Sequence, residues 1–220
     1  MAKFSNINTG AFSGAIGPVI GGSWKGIPYM RAKPGKRKKK ASPLQKANEA
    51  KFKIVGQLLK PMSELFRVSF NLNPQSTGYA CAFSYNFKNC VTGVYPKLAI
   101  DHPSVLVSRG DLPGAEEAKA VLGENSMIEF SWKNNSGFRS AKATDRSIAV
   151  IYYPQLNVAI YNTEGTARKN GQCLLDAGKL KGKKVHCWMA FISANGKEVS
   201  DSVYAGELEI RAEAKTKAKK

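Results

Sequence analysis

Three periods of apolar residues succeed one another along the chain, and each predicts a different kind of element. From Gly14 to Pro34, "GAIGPVIGGSWKGIPYMRAKP", glycines and apolar residues interleave too densely for a helix and too apolarly for a free linker. The pattern is that of a β-hairpin: "GPVIGGSW" and "IPYMRAKP" flank Lys25-Gly26, a two-residue turn whose glycine accepts φ > 0. Counting back from the turn pairs Trp24 with Ile27, Gly22 with Tyr29 and Ile20 with Arg31 on one face. Ser23 with Pro28, Gly21 with Met30 and Val19 with Ala32 fall on the other. Tyr29 over Gly22 is the arrangement by which an aromatic ring shields glycine backbone. Both faces carry apolar groups, and a lone two-stranded hairpin is marginal in water. The ribbon therefore packs on its own body or reaches a neighbouring chain.

A helical period follows. Ser42 can cap, Pro43 suits the first helical position and Gln45 completes a capping box. Phe52, Val55, Leu58, Leu59, Met62, Leu65 and Phe66 then recur at three-to-four spacing, with Pro61 set to kink or split the helix. "GYACAFSYNFKNCVTG" predicts a further short helix with Ala80, Phe83, Phe87 and Val91 on one side and Gly93 ending it; its aromatics also permit a strand. After Pro96 the period becomes two. "SVLVSRG", "SMIEFSW", "SIAVIYYP", "LNVAIYN", "QCLLDA", "VHCWMAFIS" and "SVYAGELEI" are short alternating or β-branched runs separated by turn residues. That spacing predicts an antiparallel sandwich. "AEEAKAVLG" fits an edge strand or a small helix.

Charge changes the picture at both ends. The chain has 220 residues and a net charge of +18. Its first 40 residues hold nine Lys or Arg and no acid, the first carboxylate being Glu49. The last ten residues, "RAEAKTKAKK", hold five basic groups against Glu213. The middle carries only a mild surplus, so the excess describes a body with two cationic tails. Such tails seek polyanions or serve as solvated ends. A chain of this length can bury roughly 70% of its unfolded surface. No basic n-region precedes an unbroken apolar core, and no run approaches a membrane span. Cys81, Cys90, Cys173 and Cys187 show no CxxC spacing and read as buried free thiols of a protein made in a reducing cytoplasm.

Candidate chemistry is sparse. "IDHPS" places Asp101, His102 and Ser104 side by side, but neighbours in sequence rarely form a relay, and a turn before Pro103 accounts for them. His186 and Cys187 alternate on a strand without a metal-ligand partner at suitable spacing. Phosphate-loop motifs are absent, and "GAIG" at 14–17 resembles a KH loop but lies between apolar strands rather than helices. Glu116-Glu117 fits a solvated surface. Neither catalytic residues nor a metal, a cofactor or a small-molecule substrate is expected. The basic run Arg31, Lys33, Lys36, Arg37, Lys38, Lys39 and Lys40, joined by Lys215, Lys217, Lys219 and Lys220, can neutralise phosphates without reading bases.

Two resemblances add to this reading. Residues 100–210 are similar to a fibronectin type III domain: Trp132 in "EFSWKNN" sits where such domains place a core tryptophan on their second strand. "VHCWMAFISANGKEVSDSVYAGELEI" resembles their last two strands, although His186 and Trp188 stand where the penultimate strand carries its tyrosine register. The whole chain resembles an uncharacterised family of Bacteroidota proteins, through "FSGAIGPVIGGSWKGIPYMRAKP", "SPLQKANEAKF", "VSRGDLPGA", "FSWKNN" and "SDSVYAG". The resemblance implies a bacterial or phage origin and brings no activity or cofactor.

The expected fold is mainly β (α+β). Residues 1–41 form a basic glycine-rich hairpin arm and linker, 42–94 a helical section, 95–210 a seven-stranded fibronectin-like sandwich and 211–220 a lysine-rich tail. The expected function is a non-enzymatic structural or assembly protein, located in the cytoplasm or within a phage-like particle and not in a membrane. Ile20, Trp24, Ile27, Tyr29 and Met30 would dock the arm onto a protein partner or a second copy, and the basic residues would hold a polyanion. The alternative is a soluble, nonspecific DNA- or RNA-binding protein.

Overall fold

The computed structural model describes residues 2–3, 13–24, 26–35, 40–70, 75–123, 126–178 and 183–210. The chain divides into two compact units, 1–42 and 43–220.

The first unit is a four-stranded antiparallel sheet. Its strands are β1 (Ala2–Lys3), β2 (Gly14–Ile16), β3 (Val19–Trp24) and β4 (Ile27–Ala32), in the order β1-β4-β3-β2. The central hairpin pairs Trp24 with Ile27, Ser23 with Pro28, Gly22 with Tyr29, Gly21 with Met30, Ile20 with Arg31 and Val19 with Ala32. This is the register counted from the turn, and Gly26 takes φ +79° there. The Tyr29 ring covers Gly22 so closely that a Cβ at that glycine would lie 3.1 Å from the phenol oxygen. Sequence periodicity did not predict the flanking strands. Ala2 and Lys3 pair with Met30 and Tyr29, and Gly14 to Ile16 pair with Gly21 to Val19, so the ribbon is covered along both edges. The Lys33 amide extends the hairpin by donating to the Pro18 carbonyl at 2.7 Å.

The second unit begins with α1 (Pro43–Leu59), which stops one residue before a 3-10 turn at Lys60–Met62 containing Pro61. Proline cannot donate the next helical bond, so the chain turns and resumes as α2 (Phe66–Ser69). Val55, Leu58, Leu59, Met62, Leu65 and Phe66 of the predicted stripe are all buried; Phe52 is not, with 61% of its surface exposed. The helix α3 (Gly78–Asn89) is capped by Thr77, whose Oγ1 accepts the Ala80 amide at 3.2 Å. It departs from expectation in two ways. It buries Ala82 and Asn86 while Ala80 is exposed, and Gly93 lies beyond its end, in a hairpin formed by β5 (Val91–Val94) and β6 (Lys97–Ile100).

Seven further strands form two antiparallel sheets. β7 (Glu116–Leu122), β8 (Met127–Lys133) and β11 (Gln172–Asp176) are ordered β11-β8-β7. β9 (Arg146–Tyr153), β10 (Val158–Asn162), β12 (Lys183–Ile192) and β13 (Val203–Ile210) are ordered β10-β9-β12-β13. One expected strand is replaced by another. "SVLVSRG" is not a strand, and "AEEAKAVLG" supplies the seventh as β7. The reason lies in where the backbone of 105–109 finds partners. Leu106 exchanges hydrogen bonds with the Asn86 side chain, the Val107 amide donates to Ser202 Oγ, the Val107 carbonyl accepts from Ser69 Oγ, and the Arg109 amide donates to the Ser69 carbonyl. Side chains and turns take the place of a ladder while Val105 and Val107 are still buried.

The two central strands of the β10-β9-β12-β13 sheet, β9 and β12, are buried on both faces. Ile148, Val150 and Tyr152 of β9 with Trp188, Ala190 and Ile192 of β12 pack against Leu58, Leu59, Met62 and Phe66 of the helical layer. The alternate residues Ala149, Ile151, Tyr153, Cys187, Met189 and Phe191 pack against Ile128, Phe130 and Trp132 of β8. A strand covered on both sides needs apolar residues at every position, which is why "SIAVIYY" and "VHCWMAFI" read as continuous runs rather than alternations. Alternation on a one-faced strand would bury at most one of His186 and Cys187; here both are buried.

Candidate functional site

All five expected docking residues lie on the β3–β4 hairpin of the arm. Trp24 and Ile27 face each other across the hairpin next to the turn, 55% and 48% exposed, while Ile20, Tyr29 and Met30 are half-buried. Ile16 on β2 adds a further exposed apolar side chain. Of the basic residues, Arg31, Lys33 and Lys40 are exposed. Lys36, Arg37, Lys38, Lys39, Lys215, Lys217, Lys219 and Lys220 lie outside the described residues. The arm thus presents an apolar tip at its turn, and Arg31 and Lys33 at the opposite end of β4.

In the second unit, Asp101, His102 and Ser104 do not form a relay. They occupy one turn, and Ser104 Oγ donates directly to the Asp101 carboxylate, so the His102 imidazole is not interposed between them. His102 instead stacks on His186, with ring centroids 3.6 Å apart and planes 17° apart. Trp188 lies 6.2 Å from His102, and the His186 Nδ1 meets the Tyr204 hydroxyl at 2.9 Å. Burial, and next to it the neighbouring His186, lowers the His102 pKa to about 4; burial also lowers that of His186. Nδ1 of His102 is buried with no hydrogen-bond partner. The folded protein therefore resists protonation that the unfolded chain accepts near its ordinary value of 6.5. Stability from His102 is full above pH 6.5 and is lost as pH falls toward about 4, and His186 acts in the same direction. His102→Phe keeps the stacked ring and removes the proton site, so the drop in urea midpoint between pH 7 and pH 4.5 should shrink in that variant; an unchanged drop would assign it to other groups.

The cysteines are free. Cys90, Cys173 and Cys187 are buried and Cys81 is half-buried. Burial pushes the Cys90 thiol up to about 11 and Cys187 to about 12, so both stay protonated and are poor nucleophiles at neutral pH. Glu116 and Glu117 are exposed.

Sequence reasoning missed a buried arginine and the polar cluster around it. Arg168 is fully buried: its Nε donates to Asp145 Oδ2 at 3.2 Å, Nη1 to Asn135 Oδ1 at 2.6 Å and Nη2 to the Pro113 carbonyl at 2.9 Å. Its guanidinium lies 3.7 Å from the centre of the Phe191 ring, and its carbonyl accepts the Trp132 indole N–H at 2.8 Å. No motif marks Arg168; "TARKN" reads as an ordinary surface turn. The cluster ties three connecting segments together, those carrying Pro113, Asn135 with Asp145, and Arg168, and gives Trp132 its polar partner.

Together these features define a mainly β protein: a small antiparallel sheet bearing exposed apolar and basic residues, and a second unit of antiparallel sheets with a helical layer. The chain belongs to a family of unknown function, DUF6266, whose model matches residues 11–206. The match takes in the Gly14–Pro34 ribbon and the basic run up to Lys40, and stops short of the C-terminal lysines. No curated protein and no solved structure matches the chain. Among the described residues no helix is long and apolar enough to cross a membrane.

Proposed function

We propose that this is a non-enzymatic structural protein of a larger assembly, with a phage-like particle as its setting. Its arm docks through Trp24, Ile27, Tyr29, Met30 and Ile20 onto a protein partner, and its basic residues hold a polyanion. One observation carries the reading: the arm is a folded sheet that nevertheless leaves Trp24 and Ile27 about half exposed, in a stretch of chain with no acid before Glu49. A folded module that keeps an indole in water gains by covering it, and interfaces are enriched in such residues.

The second unit fits the fibronectin-like part of the proposal. In constant-type immunoglobulin domains the first, second, fourth and fifth strands share a sheet. Here the fourth of the seven, β10, pairs with the third, β9, leaving β7, β8 and β11 together. That three-and-four division, with Trp132 buried on the second strand, supports a fibronectin-like sandwich. The fold alone brings no activity.

The soluble nucleic-acid-binding alternative is favoured by one specific finding. The hairpin edges are already paired to β1 and β2, whose described residues number only two and three. Short edges are poor templates for adding a neighbour's strand, so docking has to use the face of the sheet. Light scattering at low and high salt separates the readings. The assembly proposal expects the full chain to form species larger than a monomer that persist at high salt and vanish when residues 1–33 are deleted. A monomer at both salts, with and without the arm, would leave only the nucleic-acid reading.

A further inference from the structure

We infer that the groove between α1 and α3 is a stacking site for an unpaired base of a single-stranded nucleic acid. The inference rests on the polyanion half of the reading above and gives it a second, chemically distinct contact. Phe52 belongs to the apolar stripe of α1, yet 61% of it is exposed, because it faces α3 rather than the sheet.

There it opens a groove of about 480 Å³ floored by rings. The Phe52 and Phe83 centroids are 4.4 Å apart, Phe83 and Phe87 lie nearly parallel at 5.9 Å and 18°, and Tyr79 continues the row at 6.2 Å from Phe83. Gly56, one turn beyond Phe52, leaves the groove open. A Cβ there would touch Phe83 at an ordinary 3.8 Å, so no crowding demands a glycine, although glycine in a helix interior is less favourable than alanine. The rim is cationic: Lys51 Nζ sits 4.7 Å from the centre of the Phe87 ring, and Lys88 borders the cavity. Among the described residues its lining holds no carboxylate.

Aromatic rings tilted against one another, with one ammonium over a ring and another at the border, select a ligand with a flat part that can lie on a ring and negative charge beside it. A nucleotide unit with its base turned out meets both requirements, the base lying on the rings and the phosphate meeting the lysines. Paired bases are hidden in a duplex, and polyphosphate has no base at all. The groove therefore predicts discrimination that a lysine tail by itself cannot produce.

The test uses the full chain and a fluorescently labelled twelve-nucleotide oligothymidylate, followed by anisotropy at one fixed salt concentration. A duplex of the same length and inorganic polyphosphate serve as ligands without an accessible base. Two variants keep every charge: Phe52→Ala removes an exposed ring, and Gly56→Leu fills the groove while improving helix propensity, so at least one retains the fold. Each should weaken oligothymidylate binding about 5-fold to 150-fold, the range for losing one base–aromatic stack, and leave polyphosphate binding within about twofold. If the wild-type chain binds both single strand and polyphosphate and neither variant alters the single strand, the groove assignment is wrong while the polyanion reading stands. If the wild-type chain binds none of the three ligands at low salt, the polyanion reading has failed and the groove falls with it. If the variants change the chain's mass by light scattering but not its oligonucleotide affinity, a protein surface covers the groove and the inference is overturned.

Discussion

Arg168→Met should lower the stability of the second unit by about 3–5 kcal/mol, the range for breaking a buried ion pair from one side. Asp145 is as buried as its partner, and its Oδ2 takes bonds from both Arg168 Nε and the Lys142 amide, at 3.2 and 2.8 Å. Its Oδ1 is buried with no hydrogen-bond partner in the structure. Without the guanidinium, that carboxylate stays in the interior with its charge uncompensated, which outweighs the apolar packing that methionine recovers. Burial presses the arginine toward losing its proton while Asp145 holds it on. Lysine should not rescue the loss. Its point charge cannot serve Asp145, Asn135 and the Pro113 carbonyl in three directions, nor lie flat on Phe191. Adding Asp145→Leu to Arg168→Met should restore part of the stability, because no stranded charge remains. Urea titration at pH 7 reads all three, and a single-variant loss below about 1 kcal/mol would place the pair in contact with solvent.

That cluster shows where sequence reading runs out. Burial of an arginine is decided by which loops converge on it, and Pro113, Asn135 and Asp145 are distant in sequence from Arg168. Local chemistry was far more legible. The Lys25-Gly26 turn sets the register of a two-residue hairpin, so counting outward from it placed every pair between β3 and β4, and the same count put Tyr29 over Gly22. Pro61 ended α1 where a missing donor must. What escaped were strands too short to carry a period, β1 and β2, and one segment whose period was real but whose partners were not strands. Residues 105–107 alternate as β-structure does, yet their backbone groups go to Asn86, Ser202 and Ser69. The double-sided burial of β9 and β12 did leave a trace, because neither run alternates. A sandwich with one wet face would have required polar residues at every second position. As for the candidate site, the apolar and basic residues of the arm could be named from sequence. The groove could not, since Phe52 lies in register with the buried stripe and only the placement of α3 separates it from the core.

The affinity for duplex DNA should fall on the order of 10³-fold between 50 and 200 mM salt, and deleting residues 36–40 should remove most of that dependence. Each neutralised phosphate releases condensed counterions and adds about −0.9 to the slope of log affinity against log salt. Arg31, Lys33, Lys36, Arg37, Lys38, Lys39 and Lys40 supply seven cations within ten residues, so full engagement gives a slope of about −6. Removing 36–40 leaves Arg31 and Lys33, for a slope of about −2 and a roughly 10-fold fall over the same interval. The effect should be the same for any duplex sequence, since phosphate contacts carry no base information. Trp24→Ala with Ile27→Ala should leave the slope untouched, because neither side chain carries charge; its effect belongs to the mass measured by light scattering. A slope equally steep with and without 36–40 would move the polyanion contact to Lys215, Lys217, Lys219 and Lys220, beyond the span that the family model matches. A slope shallower than about −1 in the full chain would mean that its charge is solvated and that DNA is not what the basic run meets.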